Sequence, residues 1–199
     1  MYKIGITGGI ASGKTTAAIF FQDKGAFIFN ADQEAKSIII SDKTVQNKII
    51  KYYGNQVITK NNLDLKKLGK VAFNSKINQK FLNNLIWPIL KLIIKKKMNI
   101  AEINNKNIFV VDAALLIEAN FIELFDHILL ISTTEKNRIE RALKRKIISK
   151  NEIKKRISLQ MKDKEKENNV NYTIYNNGSE ADYYESLENY FNKYFSDLI

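Results

Sequence analysis

Lys3-Ile4-Gly5-Ile6-Thr7-Gly8-Gly9-Ile10-Ala11-Ser12-Gly13-Lys14-Thr15 opens a chain of 199 residues. Lys3 to Ile6 is a short apolar run that leads into glycines, which predicts a buried strand feeding a tight turn. Gly8 to Thr15 fits the spacing G-x-x-x-x-G-K-[ST] without a mismatch. From Lys14 to Asp23 the pattern turns helical, with Ala17, Ala18, Phe20 and Phe21 able to share a buried side. Strand, glycine turn and helix, in that order, form the context such a loop requires.

The spacing follows from the chemistry of phosphate. Small residues let consecutive backbone N–H groups curl around an anion, and the helix starting near Gly13 points its positive end at it. Lys14 is placed to reach the β- and γ-phosphates, and the Thr15 hydroxyl to coordinate Mg²⁺. Gly8, Gly9, Ile10, Ala11, Ser12, Gly13, Lys14 and Thr15, with the adjoining Thr16, are the expected triphosphate-binding residues. ATP is expected rather than GTP, because no Asn-Lys-x-Asp follows a strand and the run from His127 ends in Ser132-Thr133-Thr134.

Outward from this loop, Gly25 stops the first helix and Ala26 to Phe29 reads as a second strand. Asn30 and Asp32 lie just past its end, where Asp32 could cap the next helix. Residues 33–101 read as mostly helical, with breaks near Ser41-Asp42, Gly54-Asn55 and Lys60-Asn62. Helices are expected near Leu65 to Phe73 and Asn78 to Ile86, with Pro88 kinking the chain or starting the next one. Ile89 to Ile103 is amphipathic. The region is too long for a simple crossover and is read as an inserted helical subdomain.

Asn107 to Asp112 is an apolar strand ending in a carboxylate. Asp112 thus stands where a magnesium carboxylate belongs, though it could instead cap a following helix. A fourth strand, His127 to Ser132, leads to Thr133-Thr134, which can cap a helix carrying Arg138, Arg141 and Arg145 on one face. That helix, followed by a charged stretch at 146–169 that is expected to be mobile, has the composition of a lid over ATP. Tyr172 to Tyr175 is the last strand and Glu180 to about Phe195 the last helix. The first, third and fourth strands read as buried on both faces. The fold class is therefore α/β: a P-loop NTPase-type parallel sheet with helices on both faces, ligands at its carboxyl ends, a helical insertion and a helical lid.

The chain is 45% hydrophobic and 27% charged, enough to build a core. It has no cysteine, so disulfides and thiolate metal sites are excluded. The N-terminal segment lacks the pattern of a signal peptide, and no stretch approaches the roughly 18 apolar residues of a membrane span. A cytoplasmic protein with no membrane partner is expected. The net charge of +11 suits nucleic acid or a phosphate-rich small molecule equally well, and an abundance of Lys, Asn and Ile also fits A/T-rich coding.

Over almost its whole length the chain resembles the dephospho-coenzyme A kinases. Ile4 to Thr15 is similar to the family's opening, with Ala11 where glycine is common. Asn30-Ala31-Asp32 resembles its Asp-Ala-Asp element, and Asp112-Ala113-Ala114-Leu115-Leu116-Ile117-Glu118 its Asp-x-Pro-Leu-Leu-Phe-Glu. Phe125-Asp126 precedes the strand in the family's manner. Arg141 and Arg145 fall on its Arg-x-x-x-Arg spacing, with Arg138 where glutamine is usual. Arg156-Ile157, Gln160 and Lys164 resemble the lid pattern, and Tyr172 to Ser179 the closing Ile-x-Asn-x-Gly-Ser. The family's His-Pro is here Trp87-Pro88, which bears on acceptor geometry.

The resemblance implies transfer of the γ-phosphoryl of ATP to the 3′-hydroxyl of dephospho-coenzyme A, with ATP and Mg²⁺ required. It implies a core at 1–32, 105–140 and 171–199, an acceptor-binding insertion at 33–104 and a lid at 141–170. Catalytic roles fall on Lys14, Asp32 and Arg141, and nucleotide contacts on Arg145 and Asn176 besides the loop. Thr15 and Asp112 are the metal-site residues. A monomer or weak homo-oligomer without nucleic acid is expected. Two rivals stay open: another nucleoside or nucleotide kinase, and a nucleotide-dependent RNA-binding P-loop protein whose affinity would fall steeply with salt.

Overall fold

The computed structural model describes residues 1–145 and 149–198. Five strands form one parallel sheet: β1 (Tyr2–Thr7), β2 (Phe27–Asn30), β5 (Ile108–Asp112), β6 (His127–Ser132) and β7 (Tyr172–Tyr175), ordered β2-β5-β1-β6-β7. β5 and β6 are buried throughout and β1 over its last four residues, whereas the edge strands β2 and β7 are mixed. That is the burial a sheet covered on both faces demands.

Alternation along the strands sorts side chains to two cores. Ile4, Ile6, Ile108, Val110, Leu129 and Ile131 pack against α1 (Lys14–Asp23) and the C-terminal helix, where Phe20, Phe21, Tyr190, Phe191 and Phe195 meet mostly edge to face. Phe29, Phe109 and Val111 point to the other face, under the helical insertion. Gly5 is on that face too, and an added Cβ would lie 2.6 Å from Leu116 Cδ1.

Between β2 and β5 run α2 (Ala31–Ser41), α3 (Lys43–Tyr53), α4 (Leu65–Ala72) and α5 (Lys76–Ile103). Three features here differ from the sequence expectation. The polar break near Lys60 is the turn of a two-stranded hairpin, β3 (Ile58–Thr59) with β4 (Asn62–Leu63), its tip made by Lys60 and Asn61 at positive φ. α5 is one helix of 28 residues that continues through Pro88. The carbonyl that Pro88 leaves unpaired belongs to Asn84, an exposed residue, so water can satisfy it. Finally, the cap of α2 is Asn30, whose Oδ1 accepts from Gln33 N at 2.8 Å; Asp32 lies inside the first turn.

After β6 come α6 (Glu135–Lys144), α7 (Lys150–Leu159) and α8 (Asp163–Lys166), and after β7 comes α9 (Glu180–Phe195). Where the sequence suggested a mobile charged stretch, the described residues fold. Ser149 and Glu152 form a capping box on α7, and Ile153 is fully buried beneath it. Residues 146–148 of that stretch lie outside the described residues. Among the described residues no helix is long and apolar enough to cross a membrane.

Candidate active site

All five strands run the same way, so their carboxyl ends share one edge of the sheet. That edge presents Thr7, Asn30, Asp112, Ser132 and Asn176, and the loop at residues 8–13 crosses it. Gly8 has φ +149°, and an added Cβ would run into the Ile131 carbonyl. Gly13, at φ +115°, would meet the Asn176 amide. Ala11 takes φ +58° despite its methyl group.

Side chains from α6, from the end of α7 and from the turn after β7 brace the loop from behind. Arg138, only 6% exposed, donates from Nε to Ile10 O at 3.3 Å and from Nη2 to Gln160 Oε1 at 2.8 Å; the same Gln160 oxygen accepts from Ile10 N at 3.1 Å. The Arg138 guanidinium fills the space a Cβ on Gly9 would need. Asn176 donates from Nδ2 to Ser12 O at 2.8 Å, while its backbone carbonyl and Oδ1 accept from Arg141 Nη2. The three arginines thus differ. Arg138 is buried against the loop, Arg141 is half-buried on Asn176, and Arg145 is exposed at the end of α6.

Lys14 is 8% exposed, and its Nζ donates to Gly9 O at 3.3 Å. Beside it Asp112, 3% exposed, accepts on Oδ2 from Thr15 Oγ1 and from Asn30 Nδ2, each at 3.4 Å. The next helical element after β5 is a short 3-10 turn at Ile122–Leu124, capped at Phe121, so Asp112 is not a helix cap. Burial raises its pKa; Lys14 and the Thr15 bond pull it down and Asp32 pushes it up. Asp112 Oδ1 is buried with no partner among the described residues. One orphaned carboxylate oxygen beside an exposed threonine hydroxyl is a hard-oxygen pair suited to Mg²⁺, which takes few protein ligands and completes its shell with water and phosphate. The described residues hold no cluster of three or more His, Cys, Asp or Glu able to bind a metal alone. Asp32 is exposed, and its Oδ2 accepts from Ala114 N at 3.4 Å, so it sits on the same edge as Asp112.

A family model described as dephospho-CoA kinase matches residues 2–182. The chain belongs to the dephospho-CoA kinase family. A Lactobacillus johnsonii dephospho-CoA kinase is 36% identical over 182 residues, covering 91% of this chain and 92% of its own. A solved dephospho-CoA kinase from Campylobacter jejuni matches at 25% identity with TM-score 0.67, covering 96% of both chains. A solved structure from Thermus thermophilus reaches TM-score 0.79 at 22% identity over 98% of both chains and supports the fold. As a member of the dephospho-CoA kinase family, the chain is an ATP-dependent kinase with a small-molecule acceptor, acting in the final step of coenzyme A synthesis.

Against the family pattern, two features were hidden in the sequence. Lys164, matched there to the lid, is exposed, and the buried lysine is Lys166, two residues on. Lysine is read as a surface residue by default, and only the partners Glu118 and Ala114 mark this one out. Arg138 was grouped with Arg141 and Arg145 by helical spacing, although it alone reaches the loop. Trp87 is half-buried and packs against the core of the insertion.

Proposed function

We propose that the carboxyl edge of the sheet performs the transfer with Asp32 as base, Lys14 and Arg141 on the phosphates, and Thr15 and Asp112 as the metal-site residues. The observation carrying this reading is the convergence of Asp32, Asp112, Thr15 and Lys14 around one loop. The acceptor hydroxyl is a weak nucleophile, and Asp32 orients it toward the γ-phosphorus and takes its proton as the new O–P bond forms. The bond from the γ-phosphorus to the bridging oxygen breaks, and ADP leaves. Lys14, with the backbone N–H groups of residues 8–15, holds the charge on the transferred group. Mg²⁺ would be held by Thr15 and Asp112 and would supply charge neutralisation on the phosphate oxygens.

In this reading 33–104 takes the acceptor, 141–170 is the lid, and the remainder is the nucleotide core, with Thr16, Arg145 and Asn176 completing the nucleotide surround. The +11 charge serves phosphate-rich substrates rather than nucleic acid, in a cytoplasmic, monomeric or weakly associating enzyme. A panel of alcohol acceptors with ATP and Mg²⁺, followed by ADP release, tests it. Dephospho-coenzyme A should dominate. A comparable rate with nucleosides or shikimate-like alcohols would displace the reading, and salt-sensitive RNA binding would favour the rival.

Arg141 supplies a second test. Its guanidinium now rests on Asn176 and would swing to a phosphate as the lid closes and excludes water. Arg141→Lys keeps the charge but loses the planar fork. Its kcat should fall at least about tenfold, or about 1.4 kcal/mol. A parental kcat would remove Arg141 from the reaction.

A further inference from the structure

Lys166 is the one ammonium among the described residues with a side chain at 0% exposure. Its Nζ donates to Ala114 O at 2.8 Å and pairs with Glu118 Oε1 at 3.1 Å. Burial lowers its pKa, Glu118 opposes that shift, Lys14 adds to it, and Asp163 opposes it. Removing a lysine charge from water costs several kcal/mol that one partner rarely recovers in full, so stability alone is a poor reason for this arrangement.

Ala114 supplies another. Its carbonyl accepts from Lys166 and, at 3.4 Å, from Thr7 Oγ1. Its N–H is the donor to Asp32 Oδ2. One residue is therefore gripped at its carbonyl by a buried ammonium and presents its other polar group to the exposed carboxylate across the cleft. Glu118 is fixed in turn, because Oε1 also accepts from Met161 N at 3.0 Å. Residues 161–166 and the turn after β5 are thus tied together, and Asp32 hangs on that tie.

We propose that Lys166 is a positioning residue for the acceptor base: by holding Ala114 it fixes the Asp32 carboxylate that meets the acceptor hydroxyl. The inference rests on the role given to Asp32 above. It separates Lys166 from Lys14, which faces the nucleotide, and it gives the segment before β7 a part in activating the acceptor as well as in covering ATP.

A double-mutant cycle tests it. Lys166→Met keeps length without charge, and Lys166→Met/Glu118→Gln removes both charges so that no carboxylate is left buried and unpaired. Each is made with Asp32 and with Asp32→Asn, and kcat, KM for both substrates, ATP affinity and melting temperature are measured. With Asp32 present, kcat should fall about tenfold or more while KM for ATP stays within about twofold; in the Asp32→Asn background the same change should cost nothing further, the signature of two residues acting as one. Equal losses in both backgrounds would mean that Lys166 is merely structural and would overturn the proposal, as would a folded variant with parental kcat. If the single variant does not fold, the charge-free pair carries the cycle. A parental rate for Asp32→Asn alone would remove the base, and the proposal with it, before any Lys166 variant is read.

Discussion

Lys14→Ala is expected to give a folded protein whose phosphoryl transfer is slower by about 10²–10³, the usual loss for one preorganised electrostatic group at a transition state. Lys14 is the only side-chain cation within residues 8–15, and it is already desolvated beside the loop, so little reorganisation is needed when charge develops on the phosphoryl oxygens. The fold should tolerate the change. Its structural bond to the Gly9 carbonyl is worth about 1 kcal/mol, and alanine is a good helix former at the first position of α1. Losing Lys14 also removes its attraction for buried Asp112 but relieves its repulsion of Lys166. Single-turnover transfer to dephospho-coenzyme A and a thermal melt check both halves. A rate within a few-fold of the parent would end the assignment of Lys14 to the phosphates.

Asp32→Asn should lower transfer by roughly 10² or more, in the range of general-base contributions, with ATP still bound. The structure simplifies this experiment. Had Asp32 capped α2, asparagine would have been needed to preserve the cap; the cap is Asn30, which the substitution leaves alone. What the fold loses is a negative charge in the first turn of a helix, worth about 0.3–1 kcal/mol, partly offset because Asp32 disfavours the charged form of Asp112. Melting temperature should therefore move little while kcat collapses. Parental turnover by this variant would send the search for the base elsewhere.

The sheet and its loop were legible because each strand pairs an apolar run with a glycine or polar break, and parallel burial enforces that contrast. The boundary at Glu180 follows from a cap written in the sequence, Ser179 with Asp182, whereas Lys14 follows the positive-φ glycine of the loop and His127 opens a strand after Phe125-Asp126. Asn30 and Asp32 could not be separated in this way, since either side chain can cap, and only the extended backbone of Asn30, at φ −90° and ψ 100°, decides. At Pro88 the sequence allowed a kink or a new helix, and α5 running on through it removes the second, with the Asn84 carbonyl it leaves unpaired on an exposed residue. In the candidate site, sequence position put the loop, Asp32 and Asp112 at the strand ends, and the role proposed for Asp32 came from the family resemblance. Lys166 and Arg138 were not found in this way, because their placement depends on partners 48 and 128 residues away in the chain, Glu118 and Ile10.

Ala11 shares a small buried cluster with Ala142 of α6 and Ile153 of α7. Its left-handed backbone costs about 1–2 kcal/mol that glycine would not incur, yet its methyl gives the phosphate loop a mechanical grip on the arm beyond β6. Linkage runs both ways. Were α7 to shift, the shift would reach the loop through this contact, and whatever the loop held would bear on α7 in return.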